Sequence, residues 1–338
     1  MKLVIIYGTR PEFLKLKVLI DTLRQKSINH KVIRINQHIH FSEDNGYYDE
    51  NIQINDLTTE RLSNIGIGIL KALPSFIYDC THVLSQGDTA TVFYSLLCAF
   101  QMKKKCIHLE AGMRTYDIYN PYPEEGFRQM ISRITDIHLC PSELEMKYLN
   151  IENVNGKYYI IGNTILDLVK SYNIPVTYTK TIIITLHRRE NWDTFKEYIQ
   201  EIFLLASKNT EYIFYFFTHP NPSLQTILNE LLLIKPSNIN IMESVTHYQM
   251  IQKLSSCAVV ITDSGGIQEE ANFLGKHMYV LRKITERASI NDERITLCDL
   301  DDIKNIDCTK QNYSPGYEYG NGQSSIKIYE ILESLVDT

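Results

Sequence analysis

Short runs of apolar and β-branched residues alternate along most of this chain with longer segments whose apolar positions recur at helical spacing. A strand that reads as a continuous apolar run is buried on both faces, so the alternation predicts a parallel sheet covered by helices on either side. The first series of strand candidates is Leu3–Tyr7, Lys31–Ile35, His82–Ser85, Cys106–Leu109, Ile137–Cys140 and Tyr158–Ile161. The second is Thr181–Thr185, Tyr212–Phe217, Ile239–Met242, Ala258–Ile261 and His277–Leu281. Between the two, around Ser171-Tyr172-Asn173-Ile174-Pro175, the periodicity lapses and a proline appears, which predicts a linker. The chain therefore reads as an N-terminal Rossmann-like domain over 1–170 and a second over 171–322. A helical segment at 323–338, after the Gly320-Asn321-Gly322 turn, is expected to pack back on the first domain. The fold class is α/β, with two doubly wound domains facing a cleft. Such sheets bind ligands at the carboxyl ends of their strands, so the active site is expected between the domains.

The length of 338 residues and the apolar share of 44% suit two cores of this kind. A net charge of −6 gives no broad attraction to nucleic acid, so an anionic ligand must be met by local cations. The seven cysteines are scattered, with no CxxC spacing and no His-rich cluster. They read as reduced thiols in a cytoplasmic compartment and give no structural zinc site. The apolar run that opens the chain is too short for a signal peptide or a membrane span and reads as a buried first strand, so no membrane partner is expected.

Nearly every distinctive polar cluster falls just after a predicted strand, as convergence on one site requires. After the first comes Gly8-Thr9-Arg10-Pro11-Glu12, where Pro11 suits a first helical turn. Arg10 could clamp a phosphate, with Lys15 a turn and a half further on, although two solvated helix charges would read the same way. Gln86-Gly87-Asp88-Thr89 carries an Asp88 that is either an N-cap or a functional carboxylate. In His108-Leu109-Glu110-Ala111-Gly112-Met113-Arg114-Thr115, Glu110 ends an apolar strand, where a carboxylate is costly to bury without a partner. Pro121-Tyr122-Pro123-Glu124-Glu125-Gly126-Phe127-Arg128 opens a helix on which Glu124 and Arg128 share a face, as a surface pair or a site. Later clusters are Leu186-His187-Arg188-Arg189-Glu190-Asn191 and Thr218-His219-Pro220-Asn221-Pro222.

Asp263-Ser264-Gly265-Gly266-Ile267-Gln268-Glu269-Glu270 joins a strand to a helix start through small residues. A helix N-terminus favours anions, and the glycines let a diphosphate approach the backbone, so the stretch suits a nucleotide sugar whose ribose Glu270 could bind. An ordinary strand-to-helix turn would also contain Gly-Gly. In Thr285-Glu286-Arg287, Arg287 is placed to meet a phosphate or a uracil-side group.

Taken together, GTRPE, QGDT, HLEAGxRT, PYPEE, HRREN, HPNP and DSGGIQEEA resemble, in order and approximate spacing, the non-hydrolysing UDP-N-acetylglucosamine 2-epimerases over almost the whole chain. Pro11, where hydrolysing relatives typically carry Ala, points to the non-hydrolysing branch. The resemblance implies a glycosyltransferase-B-type fold, a UDP-2-acetamido sugar as substrate, no cofactor or metal, and a homodimer. It also implies inversion at C2 by loss of UDP to a glycal and readdition. Asp88, Glu110 and Glu124 match the family's catalytic carboxylates and His187 its histidine near the diphosphate. Arg10, Lys15, Ser264, Gly265, Gly266, Glu270 and Arg287 match positions that hold the nucleotide, and Arg114, Arg128 and His219 of the same motifs complete the substrate-binding set. The chain departs from the family's pattern at Ala288-Ser289, at Phe127, and at Ile35-Asn36-Gln37-His38, which replaces TGQH. Two other readings share the fold: a hydrolysing epimerase and a UDP-sugar glycosyltransferase. A glycosyltransferase would not require three first-domain carboxylates with His187.

Overall fold

The computed structural model describes residues 1–36, 42–54, 60–186, 188, 191–218, 221–283, 285, 287, 289–290, 293–310 and 313–335. The chain forms two compact units, one of Met1–Leu168 with Tyr319–Thr338 and one of Val169–Glu318.

Among the described residues, unit 1 holds seven parallel strands: β1 (Leu3–Tyr7), β2 (His30–Asn36), β3 (Glu50–Gln53), β4 (His82–Gln86), β5 (Lys105–Leu109), β6 (Ile137–Cys140) and β7 (Lys157–Ile160). Their order in the sheet is β3-β2-β1-β4-β5-β6-β7, so the winding reverses between β1 and β4. All five residues of β1 are buried, which explains its unbroken apolar sequence. The helices are α1 (Arg10–Gln25), α2 (Arg61–Phe76), α3 (Ala90–Gln101), α4 (Glu124–Ile134) and α5 (Glu143–Ile151), then α6 (Ile165–Ser171), which starts in unit 1 and ends in unit 2, with α11 (Ser324–Ser334) returning late in the chain. One core cluster packs Val4, Ile6, Ile33 and Val83 of the sheet against Ile65, Ile69, Leu96 and Ile131 of α2, α3 and α4.

Unit 2 repeats the plan with β8 (Thr181–Thr185), β9 (Ile213–Phe217), β10 (Ile239–Met242), β11 (Val259–Thr262), β12 (His277–Val280) and β13 (Ile295–Leu297). The order β10-β9-β8-β11-β12-β13 places its reversal between β8 and β11. Its helices are α7 (Phe195–Lys208), α8 (Pro222–Leu231), α9 (His247–Ser256) and α10 (Gly265–Phe273). Ile182, Ile184, Phe214, Phe216, Val259 and Ile261 meet Ile199, Ile202 and Leu228 in its core. The seven cysteines are free and buried. No described helix is long and apolar enough to cross a membrane.

Two carboxylates organise unit 1. Glu12 completes a capping box at the start of α1, accepting from Gly8 N at 2.6 Å and Thr9 N at 3.1 Å, while Thr89 Oγ1 donates to its other oxygen at 2.6 Å. The loops after β1 and β4 are thus fastened to one side chain. Asp167 on α6 accepts from Ser324 N at 2.9 Å and Ser325 N at 2.6 Å, supplying from elsewhere in the unit the cap that α11 lacks.

Asp167→Ala leaves two buried amides without their acceptor, which costs about 2 kcal/mol for charge-assisted bonds. A chemical denaturation midpoint equal to that of the wild type would rule this out. Burial raises the Glu12 carboxyl from 4.5 to about 6, although the hydrogen bonds from Thr89, Gly8 and Thr9 pull the other way. A carboxyl raised in the folded state binds its proton preferentially there, so its contribution to stability falls as pH rises from 4.5 to about 6 and is level above. Glu12→Gln abolishes that slope, and the variant gains on the wild type by about 2 kcal/mol across the window in paired denaturation curves.

Candidate active site

A cavity of about 440 Å³ opens in unit 1 at the point where the winding reverses. The loops after β1, β4 and β5 line it, contributing Arg10, Glu12, Lys15, Asp88, Thr89 and Glu110 among others. This is where the strand order of a doubly wound sheet leaves a crevice.

Glu110 sits at the end of β5 with φ +70°, a left-handed conformation that costs a non-glycine residue about 1–3 kcal/mol. Hydrogen bonds from its own amide and that of Ala111 to Leu139 O, at 3.0 and 3.1 Å, hold it there. Its carboxylate accepts from Lys15 Nζ at 2.7 and 2.6 Å, from Asn163 Nδ2 at 3.2 Å, and from Gln86 Nε2. An ammonium and two amides suit an ionised carboxylate.

Asp88 follows Gly87, whose φ of +92° lets the chain turn sharply after β4. His108 supports the turn from beneath, its Nε2 lying 2.7 Å from Gly87 O. Burial lowers the His108 pKa to about 4, so the ring is neutral and donates to that carbonyl. Arg128 Nε donates to Asp88 Oδ2 at 2.8 Å and its Nη1 to the buried Glu125 at 3.2 Å. Glu125 also accepts from the amides of Thr115 and Tyr116 at 3.0 and 3.2 Å, which ties the loop before α4 to the helix itself.

The other unit-1 candidates are distributed as follows. Arg10 lines the cavity with its guanidinium on Glu43, at 2.6 to 3.0 Å over three contacts. Glu124 opens α4, half-buried, and is not among the residues lining the cavity. Arg114 is not among the residues lining the cavity. Its side chain is fully buried and engages Glu152 at 2.7 and 3.0 Å, Ser132 Oγ at 2.8 Å and Met113 O at 2.8 Å. Phe127 faces the core and stacks on Phe93, with ring centroids 4.9 Å apart, so it joins α4 to α3.

In unit 2 the polar groups again gather at the reversal. The fully buried Asp263, at the end of β11, accepts from Arg188 N and Asn191 Nδ2, both at 3.0 Å, and so fastens the loop after β8. His187 in that loop, and His219, lie outside the described residues. Ser264 is the N-cap of α10 without a side-chain cap bond, and its amide donates to Thr262 Oγ1 at 3.0 Å. A Cβ built on Gly266 would meet no atom within 4 Å, so the backbone of the first turn borders open space.

Glu270 pairs with His247 Nε2 at 2.9 Å. Arg287 is buried with its Nε 2.5 Å from the fully buried Glu269, and Thr285 Oγ1 donates to Gln268 Oε1 at 2.8 Å, so both residues are tied to α10. Sequence reading missed Gln86, Asn163, Glu125, Glu43 and His247. Of these, Gln86 and Glu125 stand within quoted motifs, whereas nothing local marks the other three.

Residues 24–333 match the protein-family profile described as UDP-N-acetylglucosamine 2-epimerase. The UDP-N-acetylglucosamine 2-epimerase of Campylobacter jejuni is 31% identical, with 98% of this chain and 97% of that one aligned. The crystal structure of UDP-GlcNAc 2-epimerase from Neisseria meningitidis, bound to UDP-GlcNAc, superposes with a TM-score of 0.87 at 28% identity, covering 99% of this chain and 100% of that one. The enzyme from Methanocaldococcus jannaschii, in complex with UDP-GlcNAc and UDP, gives 0.79 at 28% identity, with 99% and 100% covered. Two Rossmann-like units of parallel sheet make the fold glycosyltransferase-B in type, and the chain belongs to the UDP-N-acetylglucosamine 2-epimerase family.

Proposed function

We propose that this chain inverts C2 of a UDP-2-acetamido sugar without consuming it, and the observation that carries the reading is Asp88 and Glu110 lining one cavity beside Lys15 in a member of this family. The C2 hydrogen of a pyranose has no adjacent carbonyl, so it cannot be removed by enolisation. Breaking the C1–O bond sends its electron pair to UDP and develops positive charge at C1, which acidifies the C2 hydrogen. A carboxylate takes that proton and a C1=C2 glycal forms. Readdition of UDP at C1, with a proton delivered to the opposite face of C2, completes inversion. The path needs a proton acceptor and a donor near the ring, and cations to receive the departing charge.

In this reading unit 1 supplies the chemistry, through Asp88, Glu110 and Glu124 with Lys15 and Arg10, and His187 meets the leaving diphosphate. Unit 2 holds the nucleotide through Ser264, Gly265, Gly266 and Glu270. Arg128, on Asp88 and Glu125, orients a carboxylate and does not bind substrate directly. Buried free thiols support a reducing cytoplasmic setting, and the family resemblance supports a homodimer.

Incubation with candidate UDP-2-acetamido sugars in D2O, followed by proton NMR, tests the reading. The expected outcome is deuterium at C2 and a new C2 epimer with UDP still attached. Accumulation of free UDP and sugar would favour hydrolysis, and absence of exchange with every candidate would sink the proposal. Glu110→Gln is expected to slow exchange by at least about 100-fold without weakening UDP binding. Arg128→Lys loosens the two-carboxylate clamp on Asp88, so kcat falls by about tenfold or more with UDP binding unchanged. A variant that weakened UDP binding instead would return Arg128 to the substrate-binding set.

A further inference from the structure

Glu270 does not stand alone on α10. Its Oε1 lies 2.9 Å from His247 Nε2, and the other ring nitrogen of His247 lies 2.9 Å from the Tyr172 hydroxyl. The side chains of His247 and Glu270 are 11% and 7% exposed, so the pair is largely withdrawn from solvent. Tyr172 is wedged in place by aromatic contacts, its ring 5.6 Å from that of His247 and 5.1 Å, edge to face, from that of Tyr248. His247 itself is set by the first turn of α9, where Thr246 and Gln249 form a capping box.

The hydrogen bonds run in one direction. A carboxylate only accepts, so Nε2 carries a proton and donates to Glu270. With Nε2 carrying the proton and Nδ1 bare, the Tyr172 O–H donates to Nδ1, which gives a series from Tyr172 through His247 to Glu270. We propose that His247, held by Tyr172, is a positioning residue that fixes the Glu270 carboxylate for the ribose hydroxyls of the nucleotide. This rests on the reading of Glu270 as the ribose-holding carboxylate. By occupying Oε1, His247 restricts the rotamers open to Glu270. The ribose is remote from the reacting C1 and C2, so the arrangement strengthens ground state and transition state equally.

UDP and 2′-deoxy-UDP binding, measured by calorimetry on the full chain and on Glu270→Gln, His247→Ala, His247→Gln and Tyr172→Phe, tests the series. The wild type is expected to favour UDP by about tenfold, the value of one well-made hydrogen bond to a charged group. Glu270→Gln and His247→Ala reduce the preference to about threefold or less. His247→Gln, whose amide N–H can reach the same oxygen, restores most of it. Tyr172→Phe, which removes only a hydroxyl, falls between. In steady-state turnover His247→Ala raises KM while kcat changes by less than about threefold, the pattern of lost uniform binding. A contact that merely joined α9 to α10 would leave the ratio of the two nucleotides unchanged. If Glu270→Gln reduces the preference and neither His247→Ala nor Tyr172→Phe does, the positioning role is wrong. If Glu270→Gln itself keeps the wild-type preference, the ribose reading of Glu270 fails and the role of His247 with it.

Discussion

The reversal of winding between β1 and β4, repeated between β8 and β11, is the constraint on which the site depends. Parallel strands buried on both faces leave no room for polar side chains along their length, so chemistry collects where the strands end. At the reversal the outgoing chains turn to opposite faces of the sheet and a crevice remains between them. In unit 1 this brings together the loop carrying Arg10 and Glu12 and the loop carrying Asp88. In unit 2 it brings the loop after β8 to Asp263, beside the start of α10.

Buried carboxylates tie the loops at these strand ends. Glu12 joins the first loop of unit 1 to Thr89, Glu125 joins the strand-to-helix loop to α4, and Asp263 joins the loops of unit 2. Each such group carries a desolvation penalty that only donors can offset, and each has several. Removing one donor therefore costs more than one hydrogen bond, because the remaining charge stays buried. The left-handed Glu110 belongs to the same economy of structure. Its conformation is tolerated because Leu139 O, Lys15, Gln86 and Asn163 hold it from several sides.

How far the sequence revealed this varied with burial. Leu3–Tyr7, Ile137–Cys140, Thr181–Thr185 and Ile239–Met242 are strands with the bounds their apolar runs predict. The strands that escaped notice, β3 and β13, lie at sheet edges. Only Ile52 of β3 is buried and no residue of β13 is, so neither needs an apolar run. Glu110 stood out because a carboxylate directly after a buried strand is anomalous, whereas Asp88, two residues past its strand, also read as an N-cap. The partners of Arg114 and Arg287 were not legible, because the sequence displays a cation and conceals what it pairs with. Glu152 stands 38 positions from Arg114, and Glu269 is one of two adjacent glutamates. The series from Tyr172 through His247 to Glu270 was invisible for the same reason, since its members come from three separate elements.

The cations at these sites share one further property that bears on how an acidic chain holds a diphosphate. Arg10 faces Glu43, Lys15 faces Glu110, Arg128 faces Asp88 and Glu125, and Arg287 faces Glu269. Paired charges attract an incoming anion weakly, because each cation's field is largely cancelled at the distance of its own carboxylate. Attraction then depends on which pairs can separate cheaply. The Arg10–Glu43 pair is 35% and 33% exposed, so water can replace either partner, whereas Arg287 and Glu269 are 7% and 0% exposed and separating them would strand a buried charge. Of these two pairs, the exposed one separates at the lower cost. Lys15, intermediate in exposure and bound to a carboxylate that lines the cavity, is placed so that any proton gained or lost by Glu110 changes the charge it presents. In the function proposed above, this would tie the strength of the cationic grip to the protonation state of Glu110.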